Sequence, residues 1–205
     1  MSEPHVPALN VRGVAVYPGL LDRAAQEALA EAVRGIVQAA PLFRPVTARG
    51  REMSVRMTSA GSVGWVSDRR GYRYEPRHPS GVDWPPIPPE VLAVWRRVSG
   101  DAADPDCCLV NFYDEGAKMG MHQDRDEADV SHPVVSISLG DEALFRIGNR
   151  ERGGKTESLW LRSGDVLVMG GDARLLHHGI DRVKPGTSTL LREGGRLNLT
   201  LRVAL

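Results

Sequence analysis

The sequence predicts an α+β fold, with a double-stranded β-helix (jelly-roll) core and supporting helices near the N-terminus. Two observations lead to this prediction. Helical periodicity is concentrated in the first half of the 205 residues, whereas from position 107 the chain consists of short alternating or apolar runs separated by turn residues. Closely spaced strands without helices between them favour an antiparallel sandwich or barrel.

Two amphipathic segments are the predicted supporting helices. In the first, which begins near Leu20, apolar residues recur at helical spacing among charged ones until Pro41 ends the pattern. In the second, apolar residues from Val91 to Val98 fall at i, i+3, i+4 and i+7, and Gly100 suits the C-terminal cap. Each helix is expected to place one face against a sheet.

The core strands are predicted from five runs of the C-terminal half. These runs are CCLVNFY, VVSISLG, ALFRIG, SLWLRSGDVLVMGG and RLNLTLRVAL. Between about 46 and 88 periodicity is poor and Gly, Ser, Arg and Pro dominate, which predicts long loops and short strands that bind substrate. We therefore expect a single domain over 1–205, with recognition loops at about 46–88 and the jelly-roll core at about 107–205.

Composition limits the class of protein. Lys plus Arg and Asp plus Glu each number 26, so the net charge is zero and any nucleic-acid binding must depend on local basic patches. Cys107 and Cys108 are too few to staple the fold and are read as reduced thiols. The opening MSEPHVPALNVRG does not resemble a signal peptide, and no run approaches the roughly 20 apolar residues of a membrane span. We expect a cytoplasmic monomer without a membrane partner.

Two histidine-containing segments predict a metal site. In an extended chain His122 and Asp124 point to the same side, because residues two apart share a face. Of the neighbouring His177 and His178 only one can face the metal; His178, directly before Gly179, is the predicted ligand, and His177 is expected to pack or lie behind it. Two histidines and a carboxylate are typical of non-haem iron(II) oxygenases. Without the rest of the C-terminal half, the His-x-Asp pair would favour a surface histidine beside a solvated aspartate.

The last strand predicts a pocket for an anionic co-substrate. From Arg196 to Arg202 polar and apolar residues alternate strictly, so that both arginines share a face with Asn198. Guanidinium groups bind carboxylates through paired, charge-assisted hydrogen bonds, and Asn111 and Tyr113 on an earlier strand can add two neutral ones. The predicted ligand is 2-oxoglutarate. The alternative is an ordinary half-exposed strand with a wet polar face.

Together these motifs resemble the AlkB family of oxidative demethylases. N-x-Y is followed after eight residues by H-x-D-x-D, and then by S-x-S-L-G, G-D-V, R-L-x-x-H-G-I and R-x-N-L-T-x-R, in the family's order, from about Trp65 onward. The resemblance implies iron ligands at His122, Asp124 and His178. It implies 2-oxoglutarate contacts at Asn111, Tyr113, Arg196, Asn198 and Arg202.

The region around GWVSDRRGYRYEP resembles the family's nucleotide-recognition loops. An aromatic ring there can stack on an extruded base while arginines hold phosphates. The alternatives are packing aromatics and, for Arg152 in GNRERGGK, an ordinary surface arginine. The resemblance implies substrate contacts at Trp65, Tyr72, Arg73, Tyr74, Asp126 and Arg152.

The family resemblance also implies the reaction. Iron(II), 2-oxoglutarate and O2 are expected to hydroxylate an N-alkyl group, with succinate and CO2 as products, and a hydroxylated methyl group then leaves as formaldehyde. The expected substrates are 1-methyladenine and 3-methylcytosine in DNA or RNA. The nucleic acid is expected to be single-stranded, with the methylated base flipped into the site. Two alternatives remain: a 2-oxoglutarate-dependent hydroxylase of a protein or small molecule, and a metal-stabilised jelly-roll binding module without turnover.

Overall fold

The computed structural model, which describes residues 7 and 9–205, contains two facing antiparallel β-sheets, a separate β-hairpin and two α-helices. The helices are α1 (Arg23–Ala39) and α2 (Pro89–Val98). The strands are β1 (Leu9–Val11), β2 (Val14–Tyr17), β3 (Arg56–Gly61), β4 (Gly64–Asp68), β5 (Gly71–Glu75), β6 (Cys107–Tyr113), β7 (Met119–His122), β8 (Val134–Gly140), β9 (Glu142–Ile147), β10 (Glu157–Leu161), β11 (Val166–Met169), β12 (His178–Lys184) and β13 (Arg196–Arg202).

Strand pairing defines a large and a small sheet. The large sheet has the order β1-β2-β11-β8-β13-β6-β3, and the small sheet has the order β10-β9-β12-β7. Apolar side chains of both sheets, such as Leu109 and Leu167 from the large one and Phe145 and Ile147 from the small one, form one cluster between them. Two packed antiparallel sheets of this kind confirm the predicted jelly roll.

The helices cover the outer face of the large sheet, as predicted. Asp22 caps α1 by accepting a hydrogen bond from the backbone N–H of Ala25. Apolar residues of both helices, including Ile36 and Trp95, share a buried cluster with the outward-facing leucines of β13. Because successive residues of a strand point to opposite faces, the polar residues of β13 face away from the helices, toward the small sheet.

Several strands lie outside the runs that predicted the core. β1, β2 and β7 are only three or four residues long, and β12 begins with His178-Gly179 and continues through charged residues. Such segments carry little apolar alternation, which explains why periodicity does not reveal them. The region expected to hold recognition loops also contributes β3, an edge strand of the large sheet.

The two helices do not resemble membrane spans. Within residues 7 and 9–205, no helix is long and apolar enough to cross a bilayer. The segment MSEPHV, on which the expectation of no signal peptide partly rests, lies outside the described residues.

Candidate active site

A cavity of about 800 Å³ opens between the two sheets. Side chains from both sheets, from the segment after β7 and from the β4–β5 hairpin line it. The predicted site residues among them are Trp65, Tyr72, Asn111, Tyr113, His122, Asp124, Asp126, Arg152, His178, Arg196, Asn198 and Arg202. Residues far apart in sequence, from 65 to 202, thus meet in one chamber.

The three predicted metal ligands converge at one wall of the cavity. His122 ends β7 and His178 begins β12, and the two histidines are directly paired across these neighbouring strands. Asp124 follows β7 and turns back between them. One ligand atom from each of the three residues lies within 4.8 Å of the others. This spacing suits a single metal ion.

Backbone carbonyls orient both imidazoles. Nδ1 of His122 lies 2.9 Å from the carbonyl oxygen of Gly120, and Nδ1 of His178 lies 3.0 Å from that of Leu176. Because a carbonyl can only accept, each Nδ1 carries the proton and each Nε2 is left with a lone pair. Both Nε2 atoms lie 3.6 Å from a carboxylate oxygen of Asp124.

The charge state of this group also suits a cation. Burial lowers the pKa of His178 to about 4, which keeps its imidazole neutral at physiological pH. Burial acts to raise the pKa of Asp124, but the positive charge of Arg202, whose Nη2 lies 2.9 Å from Asp124 Oδ1, opposes it, and the pKa of Asp124 is below its ordinary value. A buried carboxylate oxygen, Asp124 Oδ2, has no hydrogen-bond partner among the described residues. A metal ion would satisfy it, so the residues fit iron(II).

Gly179 lets the two histidine strands approach each other closely. A Cβ atom at this position would lie 2.6 Å from the backbone oxygen of Met119 and 2.9 Å from that of Gly120. Such contacts are too short for any side chain, so a larger residue would separate β7 from β12. Separation of the strands would also move His178 away from His122.

His177 has a different environment from its neighbour. Its Nδ1 lies 3.0 Å from the carbonyl oxygen of Asn149, and its backbone N–H donates to the same oxygen. It borders the cavity but does not belong to the three-residue group around Asp124.

The polar face of β13 is buried and lines the cavity. Arg196, Asn198, Thr200 and Arg202 are each at most 8% exposed, so the alternative of a wet strand does not describe this face. Neighbouring serines support two of them: Ser138 accepts from Arg196 at 3.1 Å, and the amide of Asn198 donates to Ser136 at 2.7 Å. Asn198 in turn accepts from Asn111 at 3.4 Å.

Arg196 has unused hydrogen-bonding capacity. Its Nε and Nη1 atoms are buried without a hydrogen-bond partner among the described residues, and so is Oδ1 of Asn111. Burial lowers the pKa of Arg196 and raises that of the adjacent Tyr113 to about 12, so the hydroxyl of Tyr113 is a neutral donor. Unpaired buried guanidinium nitrogens beside a hydroxyl fit a carboxylate of a co-substrate such as 2-oxoglutarate.

Arg202 differs from Arg196 because it already has acidic partners. Its Nη2 lies 2.9 Å from Asp124 Oδ1, and its Nε lies 3.2 Å from Glu127 Oε1. Burial acts to lower the pKa of Arg202, but Asp124 and other neighbours raise it well above its ordinary value. Arg202 therefore links the predicted metal site to the predicted co-substrate pocket.

The β4–β5 hairpin forms part of the cavity mouth. The rings of Trp65 and Tyr72 stack on each other, with centroids 5.4 Å apart and planes at 21°. The indole N–H of Trp65 donates to Asp126 at 3.1 Å. Tyr72 is 50% exposed, so an aromatic surface faces solvent at the entrance. Arg152, from the loop after β9, also lies at this cavity.

Two residues predicted to bind substrate lie away from the cavity lining. Arg73 pairs with Asp68 and Glu75 on the hairpin itself. The hydroxyl of Tyr74 donates to Glu127 at 2.8 Å, and its ring packs beside Val63. The structure thus brings Trp65, Tyr72, Asp126 and Arg152 together at the cavity, and places Arg73 and Tyr74 elsewhere.

Four supporting residues received no role from the sequence. Ser136 and Ser138 share a face of β8 by alternation, a signal that was available within S-x-S-L-G. Glu127 and Arg174 form an ion pair of 3.1 Å in which both side chains are at most 3% exposed. Arg174 stands in the R-L-x-x-H-G-I motif, but spacing alone gives no indication of its acidic partner.

Comparisons with known proteins agree with this geometry. A family model described as the 2OG-Fe(II) oxygenase superfamily matches residues 13–202. The alpha-ketoglutarate-dependent dioxygenase AlkB homolog of Caulobacter vibrioides is 55% identical over 199 residues, which are 97% of this chain and 90% of that protein.

Similarity extends to a plant protein and to a solved structure. The DNA N(6)-methyladenine demethylase ALKBH1D of Arabidopsis thaliana is 44% identical over 108 residues, 48% of this chain and 24% of that protein. The solved structure of OsALKBH1 superposes with a TM-score of 0.76 at 31% identity, over 95% of this chain and all of that one.

Proposed function

Because this chain belongs to the AlkB group of the 2OG-Fe(II) oxygenase superfamily, we propose that it oxidatively removes alkyl groups from base nitrogens of nucleic acids. Its cofactor is iron(II), and its co-substrates are 2-oxoglutarate and O2. One observation carries the proposal: the cavity that contains His122, Asp124 and His178 also has an aromatic pair at its mouth. Such a pair suits a planar base better than a flexible aliphatic substrate.

The residues divide the work between two pockets. His122, Asp124 and His178 would hold the iron(II), which would supply the oxidative chemistry. Arg196, with two free guanidinium nitrogens, binds a carboxylate of 2-oxoglutarate. The other proposed co-substrate contacts line the same chamber; they are Asn111, Tyr113, Asn198 and Arg202.

The bound iron, with its co-substrates, supplies the hydroxylation of the alkyl carbon that is coupled to decarboxylation of 2-oxoglutarate to succinate. The C–N bond of the hydroxylated alkyl group then breaks with its electron pair left on the base nitrogen, the hydroxyl group gives up its proton, and the carbon leaves as an aldehyde, formaldehyde in the case of a methyl group. No side chain has to act as a nucleophile. The role of the protein is to position the alkyl carbon beside the reacting centre.

We further propose that the base enters the cavity out of its stack. His178 and Asp124 are only 6% and 7% exposed, so a base that remains in a duplex does not reach them. Trp65 and Tyr72 would stack on the extruded base, and Asp126 and Arg152 would contact it or its backbone. Extrusion costs less from a single strand, which makes single-stranded DNA or RNA the preferred substrate of a monomeric enzyme.

The test is demethylation of short oligonucleotides that each carry one defined lesion. 1-Methyladenine, 3-methylcytosine and N6-methyladenine are compared with unmodified sequence, in DNA and RNA, single-stranded and duplex, at equal iron(II), 2-oxoglutarate and O2. Mass analysis of the bases should show loss of the methyl group with one equivalent each of succinate and formaldehyde. Turnover of 2-oxoglutarate without demethylation of any oligonucleotide would refute a nucleic-acid substrate and favour hydroxylation of a protein or small molecule.

A further inference from the structure

A network of buried charges lies behind the metal site. Glu127 lies between two arginines: its Oε1 is 3.2 Å from Arg202 Nε, and its Oε2 is 3.1 Å from Arg174 Nη2. Arg202 continues to Asp124, and Arg174 donates to the backbone oxygen of Asp124. All four side chains are at most 7% exposed. Two acidic and two basic groups thus balance each other, and the position of each depends on the others.

Tyr74 connects this network to the recognition hairpin. Its hydroxyl donates to Glu127 Oε1 at 2.8 Å and accepts from Arg202 Nη1 at 3.4 Å. Burial is the main cause that raises the pKa of Tyr74, so the hydroxyl keeps its proton. On the hairpin, Tyr74 is directly opposite Trp65 in the strand pairing. One tyrosine therefore contacts both the co-substrate arginine and the strand pair that carries the aromatic mouth.

Contacts with the body of the protein set the position of the hairpin. Among the described residues, β4 and β5 pair with each other and with no other strand, and an isolated two-stranded hairpin is marginally stable. Two of the contacts reach the segment after β7 that carries Asp124: Trp65 donates to Asp126, and Tyr74 donates to Glu127. The hairpin is thus attached to the same short segment that carries a metal ligand.

We propose that Glu127 is a positioning residue that, with Tyr74, couples the co-substrate pocket to the recognition hairpin. This inference rests on the proposed function. 2-Oxoglutarate fixes Arg202; Arg202 and Glu127 then hold the Tyr74 hydroxyl, and the hairpin is held in the orientation that receives a base. Binding of 2-oxoglutarate therefore strengthens binding of nucleic acid, and by thermodynamic linkage nucleic acid strengthens binding of 2-oxoglutarate by the same factor.

The experiment measures this coupling directly. The anaerobic, iron(II)-loaded protein is titrated with 2-oxoglutarate in a calorimeter, with and without a saturating single-stranded oligonucleotide that carries 1-methyladenine. The ratio of the two dissociation constants should be about five-fold or more, as is typical of coupled sites. Tyr74→Phe keeps the ring but removes the hydroxyl, and should reduce the ratio to within about two-fold of unity.

Two further variants separate positioning from simple stability. Tyr17→Phe, which removes a hydroxyl from a buried tyrosine of β2 outside the cavity lining, should keep the wild-type ratio. Glu127→Gln should abolish the coupling and also weaken 2-oxoglutarate binding without oligonucleotide, because Arg202 loses one of its two charged partners. In Tyr74→Phe, by contrast, the oligonucleotide-free affinity and the melting temperature should stay near wild type.

The outcomes distinguish the two proposals. A wild-type protein that binds both ligands without coupling, or a Tyr74→Phe variant with full coupling, would overturn the role of Glu127 and Tyr74 and leave the proposed function standing. A wild-type protein that binds 2-oxoglutarate but no methylated oligonucleotide would overturn both. Coupling that disappears equally in Tyr17→Phe would also refute the network, because Tyr17 lies on β2, outside the cavity lining.

Discussion

The inner chamber and the β4–β5 hairpin are both built from antiparallel strands, but the chamber carries the proposed metal and co-substrate sites and the hairpin carries proposed base contacts. Most of the chamber is built on β6, β8, β12 and β13, whose backbones are paired on both sides, and the polar side chains of β13 are buried, with Ser136 and Ser138 as hydrogen-bond partners. The hairpin is paired only within itself among the described strands, and Tyr72 at its surface is half exposed. The proposed reaction geometry thus depends on strands within the two sheets, whereas the proposed base contacts lie on a hairpin that side chains such as Trp65 and Tyr74 connect to the rest of the protein.

The largest effect is expected within the chamber. His178→Ala should lose iron binding and reduce succinate formation to background, because two of three ligands do not complete the metal site. His177→Ala is the matched control: its Nδ1 contacts Asn149, and its removal should leave turnover nearly unchanged. Bound iron and succinate are measured on purified protein. Loss of iron in His177→Ala and retention in His178→Ala would reverse our assignment within the pair.

A smaller effect is expected in the co-substrate pocket. Arg196→Ala should weaken binding of 2-oxoglutarate about ten-fold or more, since a charge-assisted contact contributes about 1.5–3 kcal/mol. Iron binding should persist, because the side-chain hydrogen bond of Arg196 goes to Ser138, which is not a metal ligand. Calorimetry on the anaerobic protein measures both. Arg162→Ala, an exposed arginine paired with Glu142, is the control.

Arg202→Ala should affect both the metal site and the co-substrate pocket. This residue pairs with both Asp124 and Glu127, so its loss removes one charged partner from each of two buried carboxylates and should weaken binding of iron and of 2-oxoglutarate together. An unchanged affinity for 2-oxoglutarate in both arginine variants would refute the pocket.

At the hairpin, effects should be confined to the substrate. Trp65→Ala and Tyr72→Ala should each cost about 1–3 kcal/mol of binding to a methylated oligonucleotide, with 2-oxoglutarate binding intact. Trp160→Ala removes a partly exposed tryptophan of β10 outside the cavity lining and should have no such effect. Full demethylation by a folded Tyr72→Ala protein would contradict stacking. If the melting temperature of Trp65→Ala and all of its activities fell together, Trp65 would instead be identified as a packing residue.

The smallest effect is expected at Arg73. Its guanidinium is already paired with Asp68 and Glu75, so Arg73→Ala should change oligonucleotide affinity within about two-fold, as for other exposed ion pairs. Fluorescence anisotropy of a labelled oligonucleotide measures this. A loss as large as that of Tyr72→Ala would restore Arg73 to the substrate contacts that the family resemblance implies.

Sequence was most informative where alternation and burial coincide. β6 and β8 have the bounds of the runs that predicted them, and β13 begins where its run begins but ends at Arg202, before the final VAL. The polar face of β13 could be identified before its environment was known. The convergence of His122 with His178 followed from motif order, but their direct pairing depends on β7 and β12, whose short or charged segments carry no clear period.

The hairpin shows why the remaining site residues were harder to place. Tyr72 and Tyr74 share a face with Trp65, whereas Arg73 is on the other face, a separation that follows only when 71–75 is known to be a strand. Glu127 was missed because a buried glutamate has no periodic signal, and its role depends on Arg202, which lies 75 positions away.

The unsatisfied nitrogens of Arg196 have a consequence for folding as well as for binding. A chain that folds without its co-substrate buries Nε and Nη1 without hydrogen-bond partners among the residues that the structure describes, which costs free energy that a bound carboxylate would recover. Mass action then favours the native state as the dicarboxylate concentration rises, by about 2.7 kcal/mol at one hundred times the dissociation constant. The resistance of this protein to heat is therefore set partly by the metabolite pool around it.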